Sequence, residues 1–177
     1  MKKTIFFALI AMIFLASCSE KYVMDAKMAS SFDKSQTYKL ALMPVQIENV
    51  EGVDHKSFAN RAYNQTTLQI TGAKNVSVVG KSSVQASANK YVFGGQKTVN
   101  FKTAQKIANE VGANLIAYCT ISKEKADGPL LAEIHIYDLN ELTIYHGKAR
   151  SINPVSDEGS MDFAIEKAME KFVKEMK

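Results

Sequence analysis

At 177 residues and 19.5 kDa, with 46% hydrophobic and 23% charged residues, the chain has room for one substantial core. That balance excludes a disordered chain and a multi-span membrane protein. The formal net charge is +4, and Lys2 and Lys3 supply two of those charges. The remaining +2 makes no basic patch, so nucleic acid is not an expected partner.

After Lys2 and Lys3 comes an apolar run from Ile5 to Leu15, then Leu15-Ala16-Ser17 immediately before Cys18. The run is too short to span a membrane and stops at Ser17-Cys18-Ser19-Glu20, so residues 1–17 read as a secretory signal. Leu-Ala-Ser-Cys resembles the lipobox of bacterial lipoproteins. The resemblance implies that Cys18 is diacylated, becomes the first residue of the mature chain and is acylated again on its new amine. Several acyl chains hold a protein stably where one holds it weakly. Ser19 follows the cysteine where aspartate would retain the protein in the inner membrane. By resemblance to the sorting rule of enteric bacteria, this favours the outer membrane, with the domain facing the periplasm. Once Cys18 carries lipid, Cys119 is the one thiol left and an intramolecular disulfide is excluded. Its place in an apolar run predicts a small buried hydrophobe rather than a reactive group.

Residues 18–37 show no period and read as the lipidated cysteine followed by a flexible tether, with a reach on the order of 60 Å fully extended. A single domain is expected over 38–177. Tyr38 to Val45 is a short strand, with Pro44 near its end because proline cannot donate to a ladder. A helix is predicted from about Lys56 to Thr71, capped by Asp54 or Ser57 and stopped at Gly72, with Phe58, Ala62, Thr66 and Ile70 inward. Val76 to Val79 is a second strand and Ser82 to Lys90 a short helix. Tyr91 to Phe101, with Gly94-Gly95, is a loop or small hairpin.

The strongest pattern lies in Thr103 to Ile121. Ala104, Ile107, Ala108 and Val111 fall on one helix face, Gly112 follows in position to adopt a left-handed closing conformation, and Leu115 to Ile121 reads as a strand buried on both faces. Two further strands, Leu130–Asp138 and Thr143–Arg150, are close enough for an antiparallel hairpin. Pairing Asp138 with Thr143 puts Ala132, Ile134, Ile136, Tyr145 and Ala149 on the core face. Glu133, His135, Tyr137, Ile144, His146 and Lys148 then share the other face. A last helix, capped within 156–160, carries the stripe Met161, Ala164, Ile165, Ala168, Phe172 and Met176. The order β-α-β-α-α-β-β-β-α predicts an α/β fold: one mixed sheet of about five strands with helices packed on it.

LALMPV, the strand VSVV after Gly72, AQKIANEVGANLIAYCTIS and the strand ending in Asp138 together resemble the periplasmic α/β domain of the curli-secretion lipoprotein superfamily. The same domain is similar to the N-terminal domain of TolB and to lipoprotein activators of penicillin-binding proteins. The pattern A-x-x-[LV]-G-A-[DN]-x-[IV], met by Ala108 to Ile116, is its most recognisable piece, and the resemblance covers about Tyr38 to Ser151. Many relatives turn the late hairpin with Thr-Gly where this chain has Glu141-Leu142. The curli channel owes its pore to long inserted hairpins. Tyr91 to Phe101 is too short for one and holds Asn, Gln and Lys.

Val79-Gly80-Lys81-Ser82 ends like a phosphate-binding loop, but Asn75 stands where the motif needs glycine. No nucleophile elbow and no glycine-rich dinucleotide motif appear, and no catalytic residue is assigned. His135 and His146 should sit opposite each other, a fair start for a metal site. Lys148 opposite Glu133 gives that carboxylate a salt-bridge partner instead, so no metal and no cofactor are assigned. His55 has no identifiable partner.

The expected function is a non-catalytic outer-membrane lipoprotein that binds a protein partner in envelope assembly, secretion or cell-wall synthesis; homo-oligomerisation is compatible with the sequence. Tyr137, Ile144, His135 and His146 are the candidate partner surface. The alternatives are an auxiliary lipoprotein of an ABC-type export or lipid-transport system, and a periplasmic metal-binding protein or enzyme using the His135 face.

Overall fold

The computed structural model describes residues 22–91, 99–152 and 157–177. Its strands are β1 (Val23–Met28), β2 (Tyr38–Leu42), β3 (Gln46–Glu48), β4 (Val76–Val78), β5 (Leu115–Lys123), β6 (Leu130–Asp138) and β7 (Thr143–Arg150). The helices are α1 (His55–Thr71), α2 (Lys81–Tyr91), α3 (Phe101–Glu110) and α4 (Glu158–Glu175). The strands form one mixed sheet in the order β1-β7-β6-β5-β2-β4, and β3 also pairs with β5. Pairing is parallel among β2, β3, β4 and β5 and antiparallel from β5 through β6 and β7 to β1. The expected α/β class holds, with seven strands rather than about five. No helix among the described residues is long and apolar enough to cross a membrane.

Both additional strands escape a reading based on period. β3 continues along β5 where β2 leaves off: Leu42 pairs with Ala117 and Gln46 with Thr120. Pro44 lies between them, where a missing N–H interrupts the ladder. β1 lies in the stretch expected to be a tether, so the domain begins before residue 38. Ala26 and Met28 pair with Gly147 and Tyr145 of β7, while Asp25 and Lys27 pair with Lys148 and His146. A register shift between Val23 and Asp25 breaks the alternation and leaves Met24 exposed. An edge strand held by backbone hydrogen bonds and interrupted by a bulge has no clean apolar period to read. The residues that follow are also fixed: Phe32 stacks on Tyr38 at 4.5 Å, and Lys34 meets Glu175 at 2.7 Å.

Two helices cover each face, but unequally. On one face α1 and α4 enclose the larger core, in which Leu40, Leu42, Cys119, Ile121, Ile134, Ile136, Tyr145 and Phe172 are buried. Asp54 caps α1 through the Lys56 N–H, and Asp157 caps α4 through the Ser160 N–H, each filling a donor the helix cannot use. Arg61 ties the two helices, reaching Glu158 at 2.6 Å and Asp162 at 2.7 Å. On the other face α2 and α3 form a smaller core with Ala41, Met43 and Ile116. There Asn100 caps α3, and Gly112 takes φ +67°, the left-handed turn expected before β5. Gly72 also ends its helix, but in right-handed geometry, with its N–H on the Gln69 and Ile70 carbonyls.

Candidate functional site

The smaller core sits over β2 and the start of β5, so the polar side chains of β6, β7 and β1 on that face are only partly buried. Their position follows from register. His135 pairs with His146, Glu133 with Lys148, and Lys148 in turn with Asp25. The cross-strand histidine pair is therefore where the alternation predicted it, and β1 adds Asp25 and Lys27.

The His135 and His146 rings stack with centroids 4.3 Å apart. Glu133 Oε1 lies 3.0 Å from His135 Nε2 and 3.1 Å from His146 Nε2. The other oxygen of that carboxylate meets Lys148 Nζ at 3.3 Å. On its far side, His146 Nδ1 lies 3.1 Å from Asp25 Oδ2, which also faces Lys27 Nζ at 3.4 Å. Burial pushes the Glu133 carboxyl up, but hydrogen bonds from both histidines and the Lys148 charge outweigh it and hold it below the usual range. Asp25 is likewise lowered: desolvation raises it, and the nearby Lys27 and His146 more than offset that.

Tyr137 continues the row. Its ring stacks on His135 at 5.8 Å and meets Phe101 of α3 edge-on at 5.7 Å and Tyr118 of β5 at 6.0 Å. Burial, with Tyr137 and Glu141 nearby, pushes the Tyr118 hydroxyl up to about 12.

Ile144 does not join this face. It is 4% exposed and belongs to the larger core beneath α4. The ladder runs as expected from Leu131–Arg150 to Ile136–Tyr145, but Tyr137 then pairs with Thr143 rather than Asp138 doing so. Ile144 is the extra residue of this bulge. In such a bulge two successive side chains turn toward one side of the sheet, so Ile144 follows Tyr145 inward. The expected apolar spot of Tyr137 with Ile144 therefore does not assemble. The irregular stretch adjoins a tight connection in which the Asp138 side chain accepts from the N–H groups of Asn140 and Leu142, and Glu141 takes φ +67°.

Cys119 is 1% exposed and unpaired, as its apolar surroundings predicted. Desolvation pushes its thiol up to about 12, against a small lowering by the Thr66 hydroxyl 3.4 Å away. His55 is exposed at the start of α1. Cys18 and the 92–98 part of the expected loop lie outside the described residues.

No protein-family model matches the sequence, and no curated protein aligns with it. Solved structures do match. The C-terminal domain of LpoB from Salmonella enterica superimposes with a TM-score of 0.51 at 14% identity, over 69% of this chain and 86% of that one. The same domain from Escherichia coli gives 0.48 at 16% identity, over 73% and 88%. Lipoprotein GNA1162 from Neisseria meningitidis gives 0.49 at 12% identity, over 79% and 99%. The fold assignment rests on the Salmonella domain: the chain has that α/β fold, in line with the lipoprotein resemblance read from residues 38–151.

Proposed function

We propose that the chain is a non-catalytic lipoprotein, anchored by lipid at Cys18 in the outer membrane, whose periplasmic domain binds a protein partner in cell-wall synthesis. The fold shared with the LpoB C-terminal domain carries this reading. The Leu-Ala-Ser-Cys sequence supports the anchor. A role in cell-wall synthesis, among the envelope processes open to such a protein, follows the resemblance to activators of penicillin-binding proteins. Burial of Cys119 supports the non-catalytic part, because an un-ionised thiol inside a core is a poor nucleophile.

The partner surface in this proposal is the partly open sheet face around Tyr137, His135 and His146, with Phe101 at its edge. Aromatic groups in a polar surround suit a protein interface. Anchoring raises the local concentration of the domain near a membrane-bound partner, so a modest interface suffices. Radiolabelled palmitate should enter the wild type and not Cys18→Ala; equal labelling removes the anchor from the proposal. A photo-crosslinking residue at Tyr137, activated in native membranes, should capture a peptidoglycan synthase. Capture of an export-system subunit favours the transport alternative instead, and failure to capture any envelope protein places the interface elsewhere.

A further inference from the structure

Glu133, His135 and His146 each direct one ligand atom toward the others, and all three atoms lie within 4.8 Å of one another. Ligands of tetrahedral zinc, at about 2.0–2.1 Å from the metal, stand roughly 3.3 Å apart. The two nitrogen–oxygen separations at Glu133 Oε1, 3.0 and 3.1 Å, are near that spacing before any adjustment.

The orientation of His146 supplies an independent observation. Both of its ring nitrogens face carboxylates, Asp25 on Nδ1 and Glu133 on Nε2. Whichever nitrogen of a neutral ring carries the hydrogen, the lone pair of the other faces a carboxylate oxygen, a contact that a second proton or a metal cation relieves. A carboxylate holding the far nitrogen of a ligating histidine is the arrangement that orients metal-binding imidazoles in proteins. Lys148 engages the opposite oxygen of Glu133, leaving Oε1 to the histidines. Glu133, His135 and His146 side chains are between 21% and 33% exposed, so an ion can reach them and water can complete the coordination.

We infer that Glu133, His135 and His146 form a binding site for a divalent transition-metal ion of the zinc or copper class, with Asp25 orienting His146. Three protein ligands and open positions make this an exchangeable site. A closed structural centre takes four protein ligands, one more than this cluster supplies. The inference is independent of which partner the domain binds.

The test uses the full chain purified in detergent without a histidine tag, titrated with zinc in competition with a chromophoric chelator. One zinc per chain is expected. His146→Ala and Glu133→Gln should each weaken binding by at least about 100-fold, and Asp25→Asn by about 10-fold, the lower end for loss of a group that only orients a ligand. His55→Ala should leave binding unchanged. Cobalt should give visible d–d bands of tetrahedral intensity in the wild type and not in His146→Ala. Circular dichroism of each variant separates lost ligands from lost fold. If a variant unfolds, Asp25→Asn and the cobalt spectrum of the wild type still decide. Equal zinc affinity in the wild type, His146→Ala and Asp25→Asn overturns the inference, as does cobalt without tetrahedral bands in the wild type.

Discussion

Strands β5, β6 and β7 present two faces built by the same alternation, with opposite outcomes. Toward α1 and α4 they send Cys119, Ile134, Ile136 and Tyr145, and each is at most 1% exposed. Toward the other side they send Tyr118, Glu133, His135, Tyr137, His146 and Lys148, all partly exposed and mostly engaged with one another. The difference lies in what covers each face: α4 crosses β6, β7 and β1, whereas α2 and α3 pack mainly on β2 and β5. Substitutions on the first face should therefore be read in stability, and those on the second in binding.

The sharpest way to break this comparison is Gly147→Ala. A methyl there meets the Ala168 carbonyl of α4 and comes within 2.6 Å of the Tyr145 hydroxyl. Backbone cannot yield as a flexible side chain does, so urea unfolding should show a loss of at least about 3 kcal/mol, the upper end of overpacking costs. A near-wild-type midpoint would mean that α4 is not seated as described. Next comes Ile144→Ala, which should cost about 2–4 kcal/mol as a core truncation. Tyr137→Ser, its neighbour across the bulge, should cost less, about 1 kcal/mol, since its ring is only partly buried. Equal costs would return Ile144 to the open face.

Cys119 sharpens the comparison through pH. Its folded-state value of about 12 lies above the ordinary 9, so the native state keeps the proton that the unfolded chain releases. The stabilisation is full below pH 9 and is lost as pH rises toward 12. Between pH 8 and 10 the wild type should lose about 1.4 kcal/mol more than Cys119→Ala, measured by denaturant unfolding at each pH. Parallel pH dependences would show that the thiol ionises freely. Smallest of all, Glu141→Gly should gain about 0.5 kcal/mol, because glycine accepts the left-handed conformation at less steric cost. A loss on thermal melting would show that the Glu141 side chain contributes more than its backbone costs.

Where period and burial agree, the fold was legible. Ala104, Ile107 and Ala108 on α3, the buried run of β5 and the stripe of α4 all lie where the spacing put them. The His135–His146 pair was legible too, because it sits in the regular part of the hairpin. Three residues were not. Ile144 reads as outward by strict alternation, and no residue preference nearby announces the bulge that turns it inward. Asp25 belongs to an edge strand whose own register shift disrupts its pattern, so the second carboxylate at His146 was hidden inside an apparent tether. Phe101 reaches Tyr137 by helix packing across more than thirty residues, which no local pattern reports.

The early start of the sheet also changes the length of the leash. On the proposal that Cys18 carries the lipid, Val23, where β1 begins, is five residue steps away, with four residues between them. Such a segment reaches at most about 17 Å at roughly 3.3 Å per residue, against about 60 Å for a tether running to residue 37. The volume swept by the domain shrinks with the cube of that ratio, by about fortyfold, and its effective concentration beside the bilayer rises correspondingly. A domain held this closely meets partners whose binding surfaces lie at the membrane itself, and it presents the β1 edge, with Asp25 and Lys27, nearest the point of attachment.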